Sequence, residues 1–578
     1  MGSIFRALAV DYDGTLTRDG RRPRGAVLAA LARARAAGCR VLLVTGRILS
    51  ELRADFPDVD EHVDAIVAEN GCVLASGGAT RLITPPVDAA LARALLDAGV
   101  PVRRGDALLA CDAVLAVTVL GQIRRLGLDC QLVHNRSALM VLPAGVTKGT
   151  GLFEALGDLG VSRHSTIGVG DAENDHALLD VCEVAVAVAN AVPSLRRHAD
   201  VVTEGEDGDG VVELLDGPVL DGREAVHSRR WDVLLGTATD GEPVMLPASQ
   251  LDLLVCGDTG VGKSYAAGLL AERLVGLGYS VLVVDPEGDH GELARLRGAV
   301  TVDAAEGLPT PSRLAALFRQ RFTSVVLDLS CLPPVDRRAY LDGLAVQVAA
   351  LRRDLGLPHW VVLDEAHASA PERFATGALG PTSRFKGQVL VTYRPFDLAA
   401  EVLDGLDGML ALGGDEPLPD QVVEIASRVS GLERDRVRRM VGGLRPREGL
   451  LALRPALGRT TTLRLSARST PQVRHAHKYG AVQVSPEKRF YFRDVDDRVV
   501  DVAGSMAELC LALARVDDGV LVHHAAGHDL SRWISSVFQD GALATAVAET
   551  EHQLSRHRIP VSEERARVLA AVVRRYPR

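Results

Sequence analysis

Two separate rhythms of apolar and polar positions run along this 578-residue chain. In the first, up to about residue 215, short unbroken runs of Val, Leu, Ile and Ala alternate with Ala/Arg/Leu-rich stretches of helical period. Residues 7–10 and 41–44 are such runs, and 26–37 is such a stretch. Apolar runs of this length suit strands buried on both faces, and their alternation with helices predicts βαβ units around a parallel sheet. A second rhythm of the same kind begins near Trp231 and lasts to about Arg464. Between the two, residues 214–223 carry Gly, Pro and Asp and read as a junction. Residues 459–470 mix Thr, Ser and Arg with alternating apolar positions, as a last strand and linker would. From 471 onward the period is helical, clearest at 506–514 and 562–575. The expected fold is α/β. Two three-layer domains with parallel sheets, at 1–215 and 225–465, precede a mostly helical C-terminal region at 471–578.

Each rhythm carries a phosphate-handling signature directly after an apolar run. In the first, Asp11-Tyr12-Asp13-Gly14-Thr15 follows Ala7-Leu8-Ala9-Val10. A carboxylate at the C-terminal edge of a parallel sheet sits where α/β proteins bind ligands. An aspartate there can attack a phosphoryl group and carry it covalently. Gly14 permits a tight turn between the two acids. Thr45, at the end of the run 41–44, offers a hydroxyl to a transferring phosphoryl group. Asp171 and Asp175, in Gly170-Asp171-Ala172-Glu173-Asn174-Asp175, supply hard oxygen ligands of the kind Mg²⁺ takes, and Asn174 is placed to orient them.

Taken together, these pieces resemble the haloacid dehalogenase-like (HAD) phosphatase superfamily across the whole of residues 1–215. The resemblance implies an aspartyl-phosphate on Asp11, acid/base work by Asp13 and a phosphoryl contact from Thr45. It makes Lys148, in Gly145-Val146-Thr147-Lys148-Gly149, the lysine that balances aspartate and phosphate charge. Asp11, Asp13, Asp171 and Asp175 become the expected metal ligands. The long gap between Thr45 and Lys148 is where the sugar-phosphatase-like (Cof-type) branch inserts an α/β cap, expected here at about 83–143. Glu69-Asn70-Gly71 and Ala187-Val188-Ala189-Asn190-Ala191 also look like that branch. The small cap resembles that of archaeal phosphoglycolate-phosphatase-like and sucrose-phosphatase-like members. His134, Asn135 and Arg136 are polar candidates near its end.

The second signature, Gly257-Asp258-Thr259-Gly260-Val261-Gly262-Lys263-Ser264, is a full P-loop between an apolar run and a helical one. Amides around Gly257, Thr259, Gly260 and Gly262 are expected to cradle the phosphates of ATP, with Lys263 on the β- and γ-phosphates and Ser264 on Mg²⁺. Asp364 and Glu365, after the run 360–363, supply a second Mg²⁺ contact and a group to polarise water, which favours hydrolysis over transfer. Three features resemble the HerA/FtsK-type ATPases. They are the segments 234–244 before the P-loop, Asp285-Pro286-Glu287-Gly288-Asp289 after a strand, and Thr392-Tyr393-Arg394 at the end of a further strand. Tyr393 stands where that group commonly carries a polar sensor. The resemblance implies a hexameric ring with an arginine supplied in trans, for which Arg384 and Arg394 are candidates.

Composition narrows the setting. The net charge of −10 offers no global basic field for nucleic acid. No apolar run reaches membrane-spanning length. Asp11 and Asp13 interrupt the first apolar stretch, unlike a signal peptide. Eight scattered cysteines suggest a reduced, cytoplasmic setting. The C-terminal histidines, 475 and 477, then 523, 524 and 528, lack carboxylate or cysteine partners at metal-binding spacing, so a structural or partner-binding role is expected. The leading expectation is a bifunctional phosphatase and ATPase. Two others remain: a nucleic-acid or defence motor whose HAD module trims phosphate ends, and an ATP-sensing regulator with a silent HAD module.

Overall fold

The computed structural model describes residues 5–135, 138–220, 222–320, 323–369, 386–414, 416–445, 447–470, 484–538, 540–556 and 558–576. The first rhythm forms β1 (Ala7–Val10), β2 (Arg40–Val44), β3 (Ala65–Ala68), β4 (Val73–Ser76) and β5 (Ala79–Leu82). The strands β6 (Arg103–Arg104), β7 (Leu109–Asp112), β8 (Cys130–Asn135) and β9 (Ala138–Pro143) follow, then β10 (Thr166–Gly170), β11 (Val184–Ala187) and β12 (Val201–Val202). The main sheet has the order β12-β11-β10-β1-β2-β3-β4-β5. It is parallel from β12 to β3, and β4 and β5 extend it antiparallel. Central strand β1 has every residue buried, which is why its sequence is apolar without alternation. The expected cap is a separate sheet, β6-β7-β9-β8, packed by helices Ala89–Asp97 and Ala116–Leu126 around Leu91, Leu95, Val119, Leu139 and Val141.

The second rhythm forms β13 (Val233–Ala238), β14 (Pro243–Leu246), β15 (Asp252–Cys256), β16 (Val281–Asp285), β17 (Ala299–Asp303) and β18 (Ser324–Asp328). Next come β19 (Trp360–Leu363), β20 (Gln388–Thr392), β21 (Gly408–Leu412), β22 (Glu448–Leu453) and β23 (Thr461–Leu465). They make one sheet in the order β14-β13-β23-β22-β21-β15-β20-β19-β16-β18-β17. The seven strands from β21 to β17 are parallel, and the four before them are added antiparallel. The P-loop strand β15 and the Asp-Glu strand β19 are separated by β20 alone.

The C-terminal region opens with a hairpin, β24 (Phe490–Arg493) and β25 (Val499–Ala503), and is otherwise helical. Phe492, Leu509, Trp533, Ile534, Phe538 and Val547 form its core.

The junction between the first two units is packed. Trp231 Nε1 donates to the carbonyls of Cys182 (3.3 Å) and Glu183 (3.2 Å). The His164 ring stacks on Tyr279 at 3.6 Å between centroids. The buried Glu183 carboxylate binds His164 Nδ1 at 2.7 Å and accepts the Tyr279 hydroxyl at 2.9 Å.

Candidate functional site

Strand ends and helix starts bring the first signature together. Asp11 leaves β1 buried, and its amide donates to Val169 O on the neighbouring β10 at 3.0 Å. Lys148 is the first residue of the helix Lys148–Leu159, whose Thr147 cap fixes its direction. Its ammonium donates to Asp11 Oδ1 (2.5 Å) and Asp175 Oδ1 (2.6 Å). The loop after β10 curls around Asp175, whose Oδ2 accepts the amides of Asp171 (3.0 Å) and Ala172 (2.9 Å). Thr15 Oγ1 donates to Asp171 Oδ1 at 3.0 Å. One carboxylate oxygen from each of Asp11, Asp171 and Asp175 lies within 4.8 Å of the others, all three residues buried.

Three buried carboxylates thus gather around a single ammonium, which pairs with two of them. Burial, with Asp175 beside it, pushes the Asp11 carboxyl well above its usual range, and Lys148 opposes the shift. Burial alone would lower the lysine, but Asp11 and Asp175 hold it above the ordinary range. The excess of negative charge and the all-oxygen donor set fit a hard divalent cation.

The Asp13 carboxylate does not join this cluster. The turn at Gly14 (φ 85°) carries it to Arg47, whose Nε and Nη2 donate to its two oxygens at 2.7 Å each. The three carboxylates that meet within 4.8 Å are those of Asp11, Asp171 and Asp175. Thr45 is buried, and its hydroxyl accepts the Arg47 amide at 3.1 Å. Asn174 donates to Asn70 Oδ1 at 3.0 Å, which links the acidic loop to the end of β3. Beyond the cluster, between the main sheet and the cap, lies a pocket of about 280 Å³ lined by Asp13, Arg47, Glu51, Arg103, Leu108 and Met140, among others. His134 is exposed on β8. Arg136 lies outside the described residues.

The second signature folds as a P-loop. Gly257 (φ 149°), Gly260 (φ 89°) and Gly262 (φ 104°) take positive φ, and a Cβ on Gly257 would meet Leu412 O at 2.7 Å. The helix Lys263–Leu277 begins directly after Gly262, so its N-terminus faces the loop. Lys263 Nζ donates to Asp258 O at 2.8 Å, and burial lowers its pKa.

Across β20, the buried Asp364 accepts the Glu365 amide on Oδ1 (2.9 Å), binds His290 Nε2 through Oδ2 (2.9 Å) and is hydrogen-bonded by Ser264. Burial alone would raise Asp364; His290, that amide and Ser264 hold it below the usual carboxylate range. Glu365 adopts φ 48°, and burial, with Asp364 beside it, pushes its carboxyl up to about 7.

His290 lies just beyond the Asp285–Asp289 motif. It reaches Asp364 because Asp285 gathers the loop amides of Gly288 (2.8 Å), Asp289 (3.1 Å) and His290 (2.8 Å) into a tight turn. His367 is the other neighbouring histidine, 3.4 Å from Glu365 and 3.0 Å from Thr392 Oγ1. Tyr393, in the expected sensor place, packs its ring edge-on to His367 at 4.6 Å and lies 5.7 Å from Lys263 Nζ.

Arg394 lies 5.2 Å over the Tyr393 ring, and Arg384 falls outside the described residues. In the C-terminal region His524 is structural. Its Nε2 accepts the Arg493 amide at 2.9 Å, so Nδ1 carries the proton shared with Asp529 at 2.8 Å. His475 and His477 lie outside the described residues. Among the described residues no helix is long and apolar enough to cross a membrane.

The α/β fold, the cap and the buried Asp-Lys cluster define a hydrolase of the phosphoryl-handling kind. The chain belongs to the haloacid dehalogenase-like hydrolases, matching that family over residues 8–98 and 132–215. Residues 235–333 match the central domain of helicase HerA. A phosphoglycolate phosphatase of Methanothermobacter thermautotrophicus is 34% identical over 219 residues, covering 36% of this chain and 97% of the relative. One from Archaeoglobus fulgidus is 32% identical over 216 residues, covering 36% and 95%. A solved haloacid dehalogenase-like hydrolase from Bacteroides thetaiotaomicron superposes with a TM-score of 0.33 at 20% identity, covering 37% of this chain and 98% of its own.

Proposed function

We propose that the chain is a bifunctional hydrolase: a metal-dependent phosphatase of small phosphomonoesters at 1–215, joined to an ATP-hydrolysing unit at 225–465. The C-terminal unit, 471–578, is an accessory module. The observation that carries the first half is the buried cluster of Asp11, Asp171 and Asp175, with Lys148 bound to Asp11 and Asp175.

Asp11 attacks phosphorus, and the bond to the leaving oxygen breaks as Asp13 protonates it. Water deprotonated by Asp13 then attacks the aspartyl-phosphate, releasing inorganic phosphate and freeing Asp11. Thr45 donates to a phosphoryl oxygen, and Lys148 offsets the charge gathered there. Mg²⁺ would be held by Asp11 and Asp171, with Asp175 fixing their loop and lysine, and supplies charge neutralisation at the phosphoryl group. The relatives' name makes phosphoglycolate the first substrate to try.

In the second unit the P-loop amides and Lys263 hold the triphosphate. Ser264 and Asp364 would hold Mg²⁺, and Glu365 polarises the attacking water. The match to the HerA central domain supports this half.

The test is Asp11→Asn in the full chain with Mg²⁺ and a panel of phosphomonoesters. Turnover is expected to fall by about four orders of magnitude or more with the fold kept. Full activity in Asp11→Asn towards every substrate found refutes the aspartyl-phosphate route.

A further inference from the structure

The turn between β6 and β7 is held by a carboxylate that is itself fully buried. Glu69 leaves β3 at φ 54° and accepts the amides of Asp106 (2.9 Å), Ala107 (2.9 Å) and Leu108 (3.1 Å). A Cβ at Gly105 would lie 2.5 Å from the Glu69 carboxylate, so glycine lets the turn close on it. The hairpin is thereby pinned to the main sheet. Arg103, on β6 just ahead of that turn, is presented at the pocket wall with little freedom left in its backbone.

Two arginines line this pocket, and they differ. Arg47 is committed on all three nitrogens, to Asp13 twice at 2.7 Å and to Asp55 at 2.5 Å. Arg103 makes one ion pair, from Nη1 to Glu51 at 2.7 Å, between side chains that are 57% and 39% exposed. A pair so open to water is weak and easily exchanged. The other cap residues on the wall, Leu108, Ala110, Ala138 and Met140, are apolar. Among the described residues, Arg103 is therefore the charged group that the cap turns toward a substrate.

We propose that Arg103 reads a carboxylate at the far end of a short phosphomonoester, and that Glu51 holds the arginine's place until substrate displaces it. An arginine fork matches a carboxylate in two parallel bonds, which a lone hydroxyl cannot reproduce. The proposal rests on the phosphatase reading above and adds to it the residue that selects the substrate.

The test uses the full chain with Mg²⁺ and two substrates of equal length, 2-phosphoglycolate and 2-hydroxyethyl phosphate, whose far end is an uncharged hydroxyl. The readout is the ratio of their kcat/KM values. Losing a charge-assisted pair in Arg103→Gln is expected to lower that ratio by about 10- to 100-fold, through KM more than kcat. Glu51→Gln removes the competing carboxylate and is expected to raise the ratio. Both sites are exposed, and unchanged thermal midpoints will show that folding is intact. An unchanged ratio in Arg103→Gln, or a fall in Glu51→Gln, overturns the proposal while leaving the phosphatase reading in place. A parent that hydrolyses neither compound and, by calorimetry, binds neither overturns this proposal, and the phosphatase reading falls with it only if the whole panel of phosphomonoesters is also left untouched.

Discussion

A non-glycine residue held at positive φ costs about 1–3 kcal/mol, and Glu365 occupies such a position at φ 48°. Its carboxylate lies 3.4 Å from His367 Nδ1, with Asp364 close enough to help raise its pKa. Lys263 instead curls onto Asp258 O, within the loop it is to help fill. These placements separate two roles that one assay would merge. Lys263→Ala is expected to weaken nucleotide binding about tenfold or more, because a charge-assisted phosphate contact is lost. Glu365→Gln is expected to keep binding within a few-fold and to lower ATP hydrolysis by about two to four orders of magnitude. Calorimetric titration with ATP and steady-state phosphate release measure the two. Equal loss of binding in both variants would refute the assignment. Lys263 and Glu365 are legible in sequence because each follows an apolar strand within a short local pattern. His290 is not, since its value lies in meeting Asp364, which comes from a different strand. Nothing local to Gly288-Asp289-His290 announces that contact.

The same division between local and distant signals holds for elements. The central strands β1, β3 and β19 read as unbroken apolar runs, because each is buried along its whole length. The insertion of β20 between β15 and β19 is invisible in such runs, since strand order depends on crossovers rather than on composition. The cap hairpin is a further case. Arg103–Arg104 is only two residues long and exposed, so no hydrophobic period marks it. What holds it is Glu69, which in sequence is one acid before Asn70-Gly71. Glu69→Ala would strand two buried amides and one half-buried amide, each buried one costing about 1–3 kcal/mol when unsatisfied, so a loss on the order of 3 kcal/mol is expected. Glu69→Gln, which keeps one acceptor oxygen, should lose less. Hydrogen exchange at 103–112 is the sharper readout, and protection there should fall before that of β1 or β10. A Glu69→Ala protein as stable as the parent, with its hairpin still protected, would show that the apolar core of the cap suffices by itself.

At the scale of the whole molecule, the Gly/Pro/Asp stretch at 214–223 reads as a loose junction, yet the units it joins are locked by a buried polar contact. Composition marks where a chain can bend; it does not say what later folds back across the bend. Here Tyr279, which follows the P-loop helix, lies under His164 and donates to Glu183, both from the phosphatase unit. Arg163 and His164 also reach Leu277 O at the end of that helix. The two candidate sites nevertheless share no group. Asp11, Asp171, Asp175 and Lys148 belong to the unit built on the first sheet, and Lys263, Ser264, Asp364 and Glu365 to the unit built on the second. Chemistry and stability should therefore separate. Lys263→Ala is expected to leave phosphatase activity without ATP within a few-fold of the parent. Tyr279→Ala, which touches none of the candidate catalytic groups, should instead lower the temperature at which phosphatase activity is lost. It removes a large buried ring, worth about 3–5 kcal/mol when truncated, and leaves Glu183 with an unmet hydrogen bond. Tyr279→Phe, which keeps the ring and removes only the hydroxyl, should fall between. Heat-inactivation midpoints for the three proteins decide the matter. A phosphatase unit whose midpoint is the same in Tyr279→Ala as in the parent would mean that the interface adds nothing to its stability. A collapse of basal phosphatase activity in Lys263→Ala, with the circular dichroism unchanged, would mean that the sites are coupled through that same helix.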